Sequence, residues 1–224
     1  LAPLVALVMA ERPSDLGLRP YGATQAVDTP PAGRAADSIR LAFSALFSAA
    51  RRPAFWLLFG TFFVCGLTTN GLVGAHLISF CSDRGLPIVA AAGLLAVMGV
   101  FDLIGTTASG WLTDRLDPRK LLFAYYGLRG LSLIYLPYAN FTFFGLSLFA
   151  VFYGLDWIAT VPPTLAIANK VFGTARAPVL FGWIVASHQV GAASAAFFAG
   201  ASRTATGSYL QSFVIAGFFA VGAA

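Results

Sequence analysis

The 224-residue sequence predicts an all-α membrane protein built from about six spanning helices. Three observations predict it. Hydrophobic residues make up 58% of the chain and charged residues only 10%, where an ordinary soluble domain carries about 25% charged residues. The few charges gather in short segments. Between those segments run apolar stretches near the roughly 20 residues that a span requires.

Taken in order, residues 1–10 read as the tail of a helix, because no basic segment or cleavage site marks them as a signal peptide. Residues 11–53 form a polar linker holding Pro13, Pro20, Pro30, Pro31 and Pro53 and six arginines. Near its end, Ile39, Phe43, Leu46, Phe47 and Ala50 recur at helical spacing, with Asp37 or Ser38 available as a cap. That pattern predicts a helix lying on the membrane surface before the chain turns inward at Arg51-Arg52. The spans follow at 54–80, 88–112, 121–138, 141–161 (continuing past Pro162-Pro163 to 168), 179–200 and 209–224. The last falls short of a full crossing, so both chain ends are expected to be cut within helices. The organisation is then 1–10, 11–53 and a truncated six-helix bundle over 54–224. Short connections predict that sequential helices are antiparallel neighbours.

The net charge of +5 raises a nucleic-acid partner. No polar domain exists to carry a basic face, so that partner is excluded. The cations report topology instead. Arg12, Arg19, Arg34, Arg40, Arg51, Arg52, Arg115, Arg119, Lys120, Lys170 and Arg176 fall on one side, and only Arg84 and Arg203 on the other. The positive-inside rule places the linker and the loops 113–120 and 169–178 in the cytoplasm of a multi-pass protein of the cell's inner (plasma) membrane. Cys65 and Cys81 have neither metal nor disulfide spacing, and Cys65 reads as a packing residue.

The stretch Gly110-Trp111-Leu112-Thr113-Asp114-Arg115-Leu116-Asp117-Pro118-Arg119-Lys120 resembles the G-x-x-x-D-R-x-G-R-[RK] signature of the major facilitator superfamily. That signature joins helices 2–3 and 8–9 on the cytoplasmic side. The resemblance implies that Gly110 lets two helices approach closely. It also implies that Asp114, Arg115, Arg119 and Lys120 serve a gate whose ion pairs break when two halves rock. Here Asp117-Pro118 departs from the usual glycine. The competing reading is a generic basic turn. Glu11 to Gly22 is similar to the segment that follows helix 6 in bacterial members. The resemblance covers essentially the whole chain and implies the six-helix C-terminal bundle of a twelve-helix fold, helices 7–12 with the last truncated. Phe101-Asp102-Leu103-Ile104 and Gly154-Leu155-Asp156-Trp157 are similar to bacterial monocarboxylate or oxalate/formate-type porters. Such porters often carry an arginine one turn after the helix-8 aspartate, and Thr106 stands there.

Ionisable groups in hydrocarbon are costly and mostly mark function. Asp102 lies about 15 Å from the cytoplasmic end of its span and Arg129 about 13 Å from the start of the next. Equal depth allows these two to pair, either at the substrate or as a static tie between helices. Asp156 and His188 form a second set, with the imidazole suited to relay protons beside a carboxylate or simply to join two helices. Asn70, in Thr68-Thr69-Asn70-Gly71 with Gly74 beyond, marks a bend toward the outer end of the first span. His76 reads as interfacial. Pro162-Pro163 is expected to kink the fourth span, and Gly182, Gly191 and Gly200 to be close-packing positions. Phe62-Phe63, Phe143-Phe144 and Phe197-Phe198 are expected to face lipid or packing.

The function expected is secondary active transport, as symport or antiport, of a small organic solute of the monocarboxylate kind. Alternating access and proton coupling go with it, and no enzymatic activity. Its partners are the solute, protons, the bilayer and an N-terminal half of the same chain. No cofactor is expected, since no Gly-x-x-x-x-Gly-Lys loop for a nucleotide occurs. A multi-span membrane enzyme or a channel is the alternative. The enzyme would need a cluster of metal-binding or catalytic side chains that the sequence does not supply.

Overall fold

The structure, a computed structural model, describes Gly17 and residues 35–224. The residues expected to be the tail of a preceding helix, and most of the linker, lie outside the described residues. Helix α1 spans Ala35–Ala49. Asp37 and Ser38 therefore sit inside its first turns and do not cap it. Its Ala45 and Ala49 are buried, while Phe43 and Phe47 are exposed, and Trp183 Nε1 donates to the Ala42 carbonyl at 3.1 Å.

Helix α2 follows over Pro53–Asp83, α3 over Ile88–Thr113, α4 over Pro118–Tyr135, α5 over Phe143–Phe172, α6 over Ala177–Thr206 and α7 over Leu210–Gly222. Among the described residues no strand forms. Helices α2, α3, α5 and α6 are long and apolar enough to cross a membrane, and α7 is a shorter apolar helix. Helix α4 carries Arg119, Lys120 and Arg129, which lowers its hydropathy. Local signals set the starts. Pro53, Pro118 and Pro178 occupy first-turn positions, where a missing N–H costs nothing. Asp117 and Thr142 cap α4 and α5 with side-chain oxygens. Gly207 ends α6 at φ 73°, a left-handed value that glycine adopts without strain.

Sequential helices are not the principal partners. The extensive seams are α2 with α6, α3 with α5, and α4 with α7. Successive crossings alternate in direction, so the first two seams are parallel and the third antiparallel. Glycine decides this pairing against loop length. Added Cβ atoms at Gly66 and Gly191 would overlap the opposing backbones of α6 and α2. Those at Gly105 and Gly154 would strike Leu155 and Met98, and those at Gly130 and Gly217 would strike each other's helices. Backbones brought this close gain the dispersion contacts that substitute for a hydrophobic driving force in lipid. Of the glycines expected to pack closely in α6, only Gly191 does. A Cβ at Gly182 meets open space and one at Gly200 makes ordinary contact with His76.

Two helices are irregular. Within α2, Leu67–Gly74 is a π-helix. Thr68 Oγ1 donates to the carbonyls of Val64 and Cys65 at 2.8 and 3.1 Å, and Thr69 Oγ1 to Cys65 at 2.7 Å. The hydroxyls occupy carbonyls of the helical ladder, which loosens the turn where a bend was expected. Within α5, regular helix ends at Asp156 and resumes at Val161. The interruption sits just before Pro162-Pro163, whose missing N–H groups cannot reach back to close the preceding turn.

Replacing Gly191 with Val is expected to lower the melting temperature of the detergent-solubilised protein sharply. The same change at Gly182 should shift it by no more than a degree or two. Equal effects at both positions would show that the α2–α6 seam is not set by backbone approach.

Candidate functional site

The interruption of α5 leaves main-chain groups unpaired in the middle of a bundle, where each would cost several kcal/mol unsatisfied. Side chains from two other helices take them up. Arg129 on α4 is 1% exposed. Its Nη2 donates to the carbonyls of Asp156 at 2.6 Å and Trp157 at 3.3 Å, and its Nε to Asp156 Oδ2 at 2.5 Å. Nη1 reaches α2, donating to Cys65 Sγ at 3.1 Å and Thr68 Oγ1 at 3.5 Å. All five N–H donors of the guanidinium are used. From α3, Ser109 Oγ donates to the carbonyl of Ala159 at 2.5 Å, the acceptor that Pro163 cannot serve. Asp102, also on α3, accepts the Ile158 N–H at 3.0 Å and the Thr106 hydroxyl at 3.1 Å.

The expected Asp102–Arg129 pair is therefore corrected. Both side chains reach the same depth, as their positions implied, but they meet at the broken backbone of α5 and not each other. Arg129 takes its carbonyl end and Asp102 its amide end, and the ion partner of Arg129 is Asp156. The expected contact between Asp156 and His188 is also absent. The carboxylate bonds to Arg129, while the imidazole packs on Phe62 with ring centroids 5.4 Å apart. Asp156 Oδ1 and His188 Nδ1 are each buried without a hydrogen-bond partner. Cys65 is no mere packing residue, since it receives a guanidinium hydrogen bond.

Beside this core lies a cleft of about 230 Å³ bordered by both irregular segments. Thr69 and Asn70 come from the π turn, Trp157 and Thr160 from the break, and His188 and Gln189 from α6. Phe62 packs in the core as expected, with one side bordering this cleft, and Phe144, Phe197 and Phe198 are exposed as expected. Two larger grooves, of about 350 and 430 Å³, are lined mainly by apolar side chains with exposed outer members such as Phe198, Leu128 and Phe152. The larger of the two also borders Arg129, Ser132 and Asp156. The polar cleft is the site.

The loop between α3 and α4 shows a local arrangement. Asp117 pairs with Arg119 at 3.0 Å. Arg115 lies over the Trp111 ring at 4.1 Å and donates to the Trp111 carbonyl. Asp114 and Lys120 are exposed. A Cβ at Gly110 meets open space, so within this bundle Gly110 brings no two helices together. On the opposite side, His76 bonds Tyr209 and the Ala196 carbonyl, and Arg203 makes a two-point pair with Asp83. Among the described residues, no group of three His, Cys, Asp or Glu side chains is placed to hold a metal ion.

The family model described as Major Facilitator Superfamily matches residues 1–196. Among curated relatives, Monocarboxylate transporter 13 of Rattus norvegicus is 35% identical over 146 residues, 64% of this chain and 34% of its own length. The uncharacterized MFS-type transporter YcxA of Bacillus subtilis is 31% identical over 162 residues, 69% of this chain and 38% of its own. Monocarboxylate transporter 12-B of Danio rerio is 29% identical over 174 residues, 74% and 35% of the two chains. The chain thus spans about a third of the length of the curated relatives it matches.

Asp156→Asn should destabilise the protein strongly, by about 3–5 kcal/mol, because it leaves Arg129 charged and unpaired in the interior. The double change Arg129→Met with Asp156→Leu should cost at least as much as Asp156→Asn, as read from melting temperatures in detergent, because it also strips the Asp156 and Trp157 carbonyls of their donor. A double variant more stable than the single one would show that the guanidinium does not hold the break. Outside the spans, the Arg119 side chain and N–H hold the Asp117 carboxyl down at about 2. A depressed carboxylate contributes stability above its unfolded value of about 4 and loses it as pH falls through the folded one. Carboxyl NMR of Asp117 should therefore show no titration between about pH 5 and 8, so pH effects in that range must originate elsewhere.

Proposed function

Because the chain belongs to the major facilitator superfamily, we propose that it is the C-terminal half of a secondary active transporter. The proposed solute is a small monocarboxylate, moved by alternating access with proton coupling across the plasma membrane, with the loop 113–120 cytoplasmic. One observation carries this reading: two irregular helical segments, Leu67–Gly74 and residues 157–160, midway along α2 and α5, border one cleft of mixed polar and apolar lining. Non-helical backbone at that depth is tolerated only inside protein or against a water-filled cavity, and interrupted helices at such a cavity are how transporters build a solute site. The names of the mammalian and fish relatives support the solute class.

In this reading Arg129 and Asp156 form the framework of the pathway and Asp102 anchors the amide end of the break. Asn70 and His188 face the solute. The complementary wall comes from the N-terminal half. The exposed Asp114 and Lys120 are the loop groups free to meet that half, while Arg115 and Arg119 are held locally.

The full-length protein in proteoliposomes should take up labelled pyruvate, lactate or acetate, and an inward proton gradient should raise accumulation several-fold. Asp102→Ala should cut the rate by about tenfold or more, since it frees the Ile158 amide. Gradient-independent uptake would refute the coupling, and indifference to Asp102→Ala would refute the anchor.

A further inference from the structure

The corner where the C-terminal part of α1 meets α2 and α6 gathers positive charge that no carboxylate answers. Residues 42–59 and 169–180 hold Arg51, Arg52, Lys170 and Arg176 and no Asp or Glu. Among the described residues none of these four makes an ion pair; the pairs belong to Arg119, Arg129 and Arg203. Two of the four stand where a cation is least favourable. Arg52 is the N-cap of α2 and Arg176 that of α6, and neither helix has an acidic first turn or a side-chain cap. A helix N-terminus is itself partly positive, so an arginine there adds repulsion that an anion would reverse.

Folding brings the two arginines to one place. With the Ser48 hydroxyl they line a small cleft of about 50 Å³, floored by the buried Ala45, Ala49 and Leu180. Arg52 Nη1 donates to the Val171 carbonyl at 3.0 Å. That bond fixes the guanidinium at the rim and leaves its other N–H groups without a partner among the described residues. Guanidinium forks match the oxygens of a phosphate.

The surroundings are apolar. Phe43, Phe47 and Trp56 are 47%, 69% and 54% exposed. Phe43 meets Trp183 of α6 edge-on, with ring centroids 5.2 Å apart, and Trp56 Nε1 donates to the Ala50 carbonyl at 2.9 Å. Exposed rings beside arginines at the start of a span fit a membrane interface. A free phosphate would engage the arginines and leave the rings in water. A phospholipid engages both.

We propose that this cleft binds the phosphate of an anionic phospholipid through Ser48, Arg52 and Arg176, with the rings of Phe47 and Trp56 against the surrounding lipid. Basic clusters at the end of a span attract anionic lipid. The occupant would tie α1 to the first turns of α2 and α6, the helices joined at Gly66 and Gly191. Such a site is independent of the solute and needs only a chain embedded in a membrane.

The test places the full-length protein in phosphatidylcholine nanodiscs with or without phosphatidylglycerol. Phosphatidylglycerol should raise the melting temperature by several degrees, and spin-labelled phosphatidylglycerol should associate several-fold more strongly than the phosphatidylcholine analogue. Arg52→Gln with Arg176→Gln should abolish both effects. Arg115→Gln with Lys120→Gln removes the same charge from the loop between α3 and α4 and should change neither. No preference in the wild type, or a preference surviving the change at Arg52 and Arg176, overturns the proposal. An equal loss in the loop variant means diffuse attraction and overturns the site. Inorganic phosphate added to pure phosphatidylcholine discs should not reproduce the rise; if it does, the cleft takes a free anion and the lipid assignment falls.

Discussion

The guanidinium of Arg129 is the constraint on which the bundle turns. A helix interrupted in hydrocarbon exposes carbonyls and amides that water cannot reach, and each would cost several kcal/mol if left unpaired. Arg129 fills the carbonyl end of the gap in α5, closes an ion pair with Asp156 on the same helix, and fastens both to Cys65 and Thr68 on α2. Asp102 and Ser109 complete the set from α3. A buried ion pair alone contributes little, because desolvation offsets attraction. Its worth here lies in the main-chain groups it satisfies, which let an otherwise forbidden backbone persist at mid-depth.

The two irregular segments do not stand apart. Tyr153, one turn before the break, donates its hydroxyl to the carbonyl of Thr68 at 2.9 Å, inside the π turn. Displacing one segment thus pulls on the other, with the cleft between them. The rest of the bundle resists such motion, since the glycine seams bring backbones into contact and packed interiors deform little. Flexibility is placed at the cleft and rigidity around it, as a site that opens alternately to two sides requires.

Much of the fold was legible in the sequence. Long apolar runs and few charges located the helices, with the end of α6 lying six residues beyond the expected 200, and prolines marked the helix starts. The π turn was foreshadowed by Thr68, Thr69 and two glycines. Loop length misled the pairing of helices, because it constrains which ends are near and says nothing of which faces can approach. Only the reciprocal glycines carry that, and they are read with certainty once both helices are in place. The depth of Asp102 and Arg129 was computable from the rise of a helix. Their partners were not, because the acceptors are carbonyls released by Pro162-Pro163, and backbone groups have no letter in the sequence. The roles of Cys65 and Ser109 were hidden in the same way. The proline pair upstream of Ala168 was the available signal that carbonyls near 156–159 would need donors.

The break also accounts for a departure at Thr106. A carboxylate buried on a spanning helix ordinarily demands a cation nearby, and the related porters that the sequence resembles often carry an arginine one turn on. Asp102 instead receives an amide at the start of the second half of α5, where the helix dipole presents its positive end. Arg129 meets the negative end of the first half. Each half-helix thus faces an opposite full charge, and the two charges need not touch. With Asp102 satisfied by backbone and by the Thr106 hydroxyl, no second arginine is called for. The consequence falls on the cleft: this wall lends it no lysine or arginine side chain, so the charge on Asp102 is spent on the backbone of α5 and not on a cation that borders the cleft.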